Sequence, residues 1–123
     1  MIKIFTLAAA IFGALGVAAG AFGAHGLETQ LHADALEIWE TAATYQMYHA
    51  LALLGTAWLA GETTSTATSV AGWCYVAGIL VFSGSLYLLA LTDIKWLGAI
   101  TPIGGVSLIA GWIALFVAAL SLG

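Results

Sequence analysis

Trp39-Glu40-Thr41-Ala42-Ala43-Thr44-Tyr45-Gln46-Met47-Tyr48-His49-Ala50 is the stretch that decides the fold. It runs on into Leu51–Ala60, and no Asp, Glu, Lys or Arg occurs from Thr41 to Ala60. A run of about twenty such residues is the length a helix needs to cross a hydrocarbon core. A polar turn is therefore embedded in a segment that reads as a membrane span. At about 100° per residue, Glu37, Thr41, Tyr45, Tyr48 and Ala52 fall on one stripe, flanked by His49 and Thr56. Met47, Leu51, Leu54 and Trp58 lie elsewhere. Unsatisfied polar groups are costly in hydrocarbon, so the polar stripe is expected to face protein or water.

Composition points the same way. The chain has 123 residues, of which 63% are hydrophobic and 7% charged. A soluble domain carries roughly a quarter charged residues. So few charges cannot clothe a water-facing surface, and lipid is the expected solvent. The length suits one domain. The formal net charge is −4, with only Lys3 and Lys95 as cations. Nucleic acid is excluded as a partner, because phosphate binding needs several cations. A single cysteine, Cys74, excludes an intramolecular disulfide.

The rest of the chain supplies three more apolar runs. The expected spans are about residues 4–24, 41–60, 70–92 and 99–122, with a surface segment over 25–40. The N-terminal run has a rival reading as a signal peptide: Lys3, an apolar stretch, then Ala19-Gly20-Ala21. It is long for a signal, which favours a span. Gly26 is expected as a left-handed cap closing the first helix. Asp34-Ala35-Leu36-Glu37 is expected as a capping box opening the second. Leu36, Ile38 and Trp39 suit the headgroup level. Thr101-Pro102 either starts the last helix or lies as a kink inside a helix beginning at Leu97.

Small residues recur along these runs. Ala9, Gly13, Gly16, Gly20 and Gly23 follow steps of three and four. Ala71, Gly78 and Ser85 repeat every seven. Gly104, Ser107, Gly111, Ala114, Ala118 and Ser121 form a third stripe. Helices in lipid associate by close packing, which small residues permit. The expected architecture is all-α: an integral membrane four-helix antiparallel bundle with short connections.

Candidate chemistry is sparse. His25, Thr41, Tyr45, Gln46, Tyr48 and His49 form a possible intramembrane polar cluster. Such a group serves as a proton relay or polar substrate site, or it locks helices together by hydrogen bonds. The second role is favoured, with His25 and His49 as interhelical partners. No spacing matches a metal motif, which needs three or four converging ligands. Ser83 and Ser85 have no assigned base. Cys74 sits in an apolar setting that keeps a thiol inert. No catalytic residue, cofactor or metal is expected, and the chain is not read as an enzyme.

Four ordered stretches carry a resemblance: residues 20–27 (Gly-Ala-Phe-Gly-Ala-His-Gly-Leu), 39–51 (the opening stretch with Leu51), 82–87 (Phe-Ser-Gly-Ser-Leu-Tyr) and 97–105 (Leu-Gly-Ala-Ile-Thr-Pro-Ile-Gly-Gly). With them, the chain resembles the small uncharacterised membrane proteins that include bacterial YgdD-like proteins and animal transmembrane protein two-five-six. Asp93 stands where that pattern has a glycine. The resemblance implies a bacterial inner-membrane protein of four spans and brings no reaction, ligand or catalytic residue.

The function expected is structural or accessory: a chain surrounded by membrane lipid that packs as a homo-oligomer or as a subunit of a larger membrane complex. The alternative is a small oligomeric transporter or channel with a polar path near His49. Lys3 beside the first span favours both termini in the cytoplasm, against Lys95 on the other side.

Overall fold

The computed structural model describes all 123 residues, Met1–Gly123. It contains four helices and no strand: α1 (Ile2–His25), α2 (Ala33–Glu62), α3 (Thr66–Thr92) and α4 (Leu97–Ala119). Of these, α1, α3 and α4 are long and apolar enough to cross a membrane. Helix α2 is the longest, at 30 residues, but its Tyr-Gln-Met-Tyr-His turn keeps it off that set. The sequence stripe on α2 therefore marks the one helix whose polarity needs explaining.

Each helix runs antiparallel to the next. Along α1 and α2, Trp39 meets Ala19 and Gln46 meets Phe12. Along α2 and α3, Trp39 meets Tyr87 and Ala42 meets Ser83. Along α3 and α4, Ser85 meets Thr101 and Gly78 meets Leu108. The main packed pairs are α1 on α2, α3 on α4, and α2 on α3, while α1 does not pack along α4. The arrangement is thus two hairpins joined through α2 and α3, and it leaves a groove on each flank. The core holds Phe5, Ala9, Leu53, Ala57, Ala71, Tyr75, Ile79 and Leu108.

The small-residue stripes divide into used and unused positions. On α1, Ala9, Gly16 and Gly23 are buried. A Cβ at Gly16 would lie 2.6 Å from Met47 Sδ, and one at Gly23 would lie 2.6 Å from Trp39 Cδ1. Gly13 and Gly20 meet nothing within 4 Å. The contact seam therefore repeats every seven residues, the period of a shallow left-handed crossing. Ala71, Gly78 and Ser85 of α3 are all buried, as are Gly104, Gly111, Ala114 and Ala118 of α4. Ser107 is half-buried, and Ser121 is exposed beyond the helix end.

Helix α3 carries one π turn, Ile79–Ser83, where a widened turn inserts an extra residue. An insertion rotates the following side chains by about 100°. Here it turns Ser83 inward to donate to the Ala42 carbonyl at 2.7 Å. Phe82 lies at the closest approach to α4. A Cβ at Gly104 would fall 2.3 Å from the Phe82 backbone nitrogen, so only glycine fits there.

The structure departs from two local expectations and decides between two readings at a third place. Gly26 caps α1 with φ −101° and ψ −36°, in the right-handed region, so it is not a left-handed cap. Asp34 is not an N-cap: α2 starts two residues earlier than that reading puts it, with His32 at the cap and no side-chain hydrogen bond. Leu27, just before the helix, is buried in a cluster with Trp39. Of the two readings at Pro102, the structure takes the one with α4 starting at Leu97 and proline inside. The first turn is held by short-range bonds from Leu97, Gly98 and Ala99 back to Ile94, Lys95 and Trp96. Buried Leu97 anchors it.

The one left-handed residue is Asp93, with φ 58°, ending α3. Aspartate tolerates this region better than most side chains but glycine costs nothing there. That explains why glycine suits the position. Asp93 Oδ1 also accepts from Lys95 Nζ at 2.7 Å in an exposed pair.

Candidate functional site

Helix α2 divides its polar residues between two faces. Gln46 and His49 are buried, at 4% and 5% exposure. Tyr45 and Tyr48 are exposed, at 41% and 58%. Thr41 is half-buried and donates to the Glu37 carbonyl of its own helix at 3.0 Å. His25 is exposed at the end of α1. The tyrosines therefore look outward. Gln46 and His49 stand at i and i+3, which puts these two on the inward face, while positions 45 and 48 lie outside it.

Gln46 is the hub between three helices. Its Nε2 donates to the Phe12 carbonyl of α1 at 2.9 Å, and its Oε1 accepts from Tyr87 Oη of α3 at 2.7 Å. Trp39, about two turns away, donates from Nε1 to the Ala19 carbonyl at 2.8 Å. Trp39 is buried, its ring seated on Gly23 and 4.6 Å from that of Tyr87. The glycine is what admits the indole, and the regular spacing of small residues was the signal available for it.

His49 bonds through both ring nitrogens. Nε2 lies 3.0 Å from Trp112 Nε1 of α4, and Nδ1 lies 2.7 Å from the Tyr45 carbonyl. An indole N–H only donates, so Nε2 accepts. Nδ1 then carries the proton and donates to Tyr45. The bonding fixes a neutral imidazole in one tautomer. The expected pairing of His25 with His49 does not form. His49 lies sixteen residues into α2, about 24 Å from its start, and it faces α4 rather than α1.

Two more bonds tie α3 to α4: Ser107 Oγ donates to the Cys74 carbonyl at 2.8 Å, and Ser85 Oγ lies 2.6 Å from Thr101 Oγ1. Neither serine pair was foreseen as a contact between named partners. Two buried hydroxyls, Thr68 Oγ1 and Tyr75 Oη, have no partner. No group of three His, Cys, Asp or Glu side chains comes together.

Beside His49 lies the larger flank groove, about 710 Å³. Tyr45, Tyr48 and His49 form one side, Phe82 and Gly105 the floor, and Ile109 and Trp112 the other side. The Tyr45 ring lies 4.9 Å from Phe82 and 5.8 Å from Tyr48. The Trp112 ring stands edge-on to His49 at 5.9 Å. No charged residue lines the groove. The opposite flank holds a groove of about 310 Å³ over Gln46 and Tyr87.

A family model described as "Protein of unknown function (DUF423)" matches residues 19–105. The chain belongs to the DUF423 family. All four quoted stretches fall within the matched residues, and so do Gln46, His49, Phe82 and Gly105. Trp112 lies outside them. The chain is 49% identical over 118 residues to the UPF0382 membrane protein YwdK of Bacillus subtilis, covering 95% of this chain and 96% of that one. It is 52% identical over 118 residues to a UPF0382 membrane protein of Staphylococcus epidermidis, covering 96% of each. It is 52% identical over 115 residues to the UPF0382 membrane protein SSP2132 of Staphylococcus saprophyticus, covering 94% and 95%. These are bacterial membrane proteins, and their names state no reaction. No solved structure matches the chain. The DUF423 chain thus has relatives of the same length whose molecular function is unknown.

Proposed function

We propose that this chain is an integral membrane four-helix bundle of the bacterial inner membrane, acting as a structural or accessory component that packs against itself or a larger membrane complex. One observation carries the reading. Side-chain hydrogen bonds link α1 to α2, α2 to α3, α3 to α4 and α2 to α4. They consume the polar groups of Gln46 and His49, the two buried polar residues of the central turn. A histidine engaged at both nitrogens serves as a fastener between helices. Each such bond contributes about 0.6 kcal/mol in lipid, which suits a fixed framework. The outward side chains of α1, α3 and α4 are mainly Leu, Ile, Val, Phe and Trp, as a lipid or partner contact requires. Lys3 at the start of α1 supports cytoplasmic termini. The resemblance of the chain's four stretches to YgdD-like proteins and animal transmembrane protein two-five-six supports the same reading.

Purification in mild detergent tests it. An oligomer or a co-purifying membrane protein is expected; a lone monomer counts against the proposal. The second reading, a small oligomeric transporter, draws on His49 beside the larger groove. In proteoliposomes it requires a pH-dependent flux that His49→Ala removes.

A further inference from the structure

The groove between α2 and α4 belongs to neither role of the helix fasteners. Its walls select among occupants. Along α2 it runs from Tyr45 to Leu51, and along α4 from Gly105 to Trp112. That is about 10 Å in the helix direction. That is about a third of the roughly 30 Å hydrocarbon core, so a helix crossing the bilayer would meet the groove over only about two turns. Its volume, about 710 Å³, instead lies within the range of small-molecule sites, about 300–1,000 Å³.

The lining then narrows the chemistry. Tyr45, Tyr48, His49, Phe82 and Trp112 all present rings. Rings pack well offset or edge-on against another ring, and a ring-free acyl chain gains nothing from that geometry. The absence of any charged lining residue disfavours a charged ligand, which would be costly to desolvate. Depth does the same: His49 lies about midway along α2, far from where a phospholipid headgroup sits. The His49 nitrogens and the Trp112 N–H are already bonded to protein. The phenol hydroxyls of Tyr45 and Tyr48 remain as donors. Gly105 leaves the floor open, since a Cβ there would find only Phe82, at 3.7 Å.

We propose that this groove binds one neutral, lipid-soluble ring compound bearing a hydrogen-bond acceptor, the chemistry of an isoprenoid quinone head group. The ring lies against Phe82 and Trp112, and a carbonyl oxygen accepts from a tyrosine hydroxyl at the rim. The proposal is of binding alone. It rests on the membrane placement argued above, and it adds a ligand that the structural role does not require.

The test is equilibrium binding of radiolabelled decyl-benzoquinone to the whole chain in phospholipid nanodiscs, with empty nanodiscs as the baseline. Saturable excess binding near one molecule per chain is expected, displaced by unlabelled quinone and not by palmitate or dodecane. Gly105→Phe fills the floor and abolishes the excess. Leu51→Trp, at an exposed position on the wall, does so without touching the α3–α4 contact, should Gly105→Phe fail to fold. Tyr45→Phe combined with Tyr48→Phe weakens binding by about threefold to tenfold, as loss of a hydrogen bond does. No saturable excess, equal displacement by palmitate, or full binding by both groove-filling variants overturns the proposal. A disulfide between Ile109→Cys copies in a Cys74→Ala background, formed across this groove, also overturns it. Release of the chain from membranes by alkaline carbonate would instead sink the membrane placement, so the two failures are distinct.

Discussion

Trp112 Nε1 donates to His49 Nε2 across 3.0 Å, joining α4 to α2 where the two helices otherwise barely meet. The bond sets the imidazole's tautomer and closes the inner end of the ring-lined groove. It also explains why a histidine is tolerated in an otherwise apolar stretch: each of its nitrogens has a partner.

Nitrogen-15 NMR of His49 is expected to show Nε2 as the unprotonated nitrogen and Nδ1 as the N–H. Trp112→Phe removes the donor and leaves a buried acceptor, which costs about 1–3 kcal/mol. Thermal unfolding in detergent reads this as a clear fall in midpoint. An Nε2–H signal in the parent chain would refute the assignment.

Glycine positions separate by what a methyl group would strike. Gly104→Ala drives a Cβ to 2.3 Å from the Phe82 backbone nitrogen, and backbone cannot swing aside. A loss of about 1–3 kcal/mol is expected, the usual range for overpacking. Gly20→Ala meets nothing within 4 Å and is expected to be neutral or to stabilise by up to about 1 kcal/mol. Midpoints of the two variants, compared in one detergent, check the contrast; equal effects would contradict the packing.

The Gln46 hub is testable by a double-mutant cycle. Gln46→Leu breaks bonds to α1 and α3 together, and Tyr87→Phe breaks only the second. The coupling between them is expected at about 0.6 kcal/mol, with about 1.7 as an upper bound. Strict additivity would show that the 2.7 Å contact between Tyr87 and Gln46 contributes nothing.

Tyr75 offers the opposite case. It is fully buried beside His49 and Trp112, yet its hydroxyl has no partner. Removing an unpartnered buried polar group relieves a desolvation cost. Tyr75→Phe is therefore expected to hold or raise the unfolding midpoint. A fall of several degrees would show that the hydroxyl is bonded in the membrane.

Much of this was legible in the residues themselves. Long uncharged runs mark helices because hydrocarbon permits no unpaired backbone, and residues 20–27, 39–51, 82–87 and 97–105 were enough to suggest a family of small uncharacterised membrane proteins. The every-seventh repeats at Ala71, Gly78 and Ser85 named a true contact face. Asp93 at a glycine position turned out to sit at φ 58°.

What needed three dimensions was partnership. Periodicity placed Tyr45 and Tyr48 on a polar stripe expected to face protein or water; both are exposed, and it could not say that Gln46 and His49 are the residues that face protein. The answer came from α3 and α4, whose Tyr87 and Trp112 reach Gln46 and His49 from 41 and 63 residues away in sequence. The π turn at Ile79–Ser83, where Phe82 packs against Gly104, had no mark in the sequence either. A sequence records local preference and the demand of each polar group for a partner. Which group meets that demand depends on how the helices rotate about their axes, and that rotation is settled only when all four pack together.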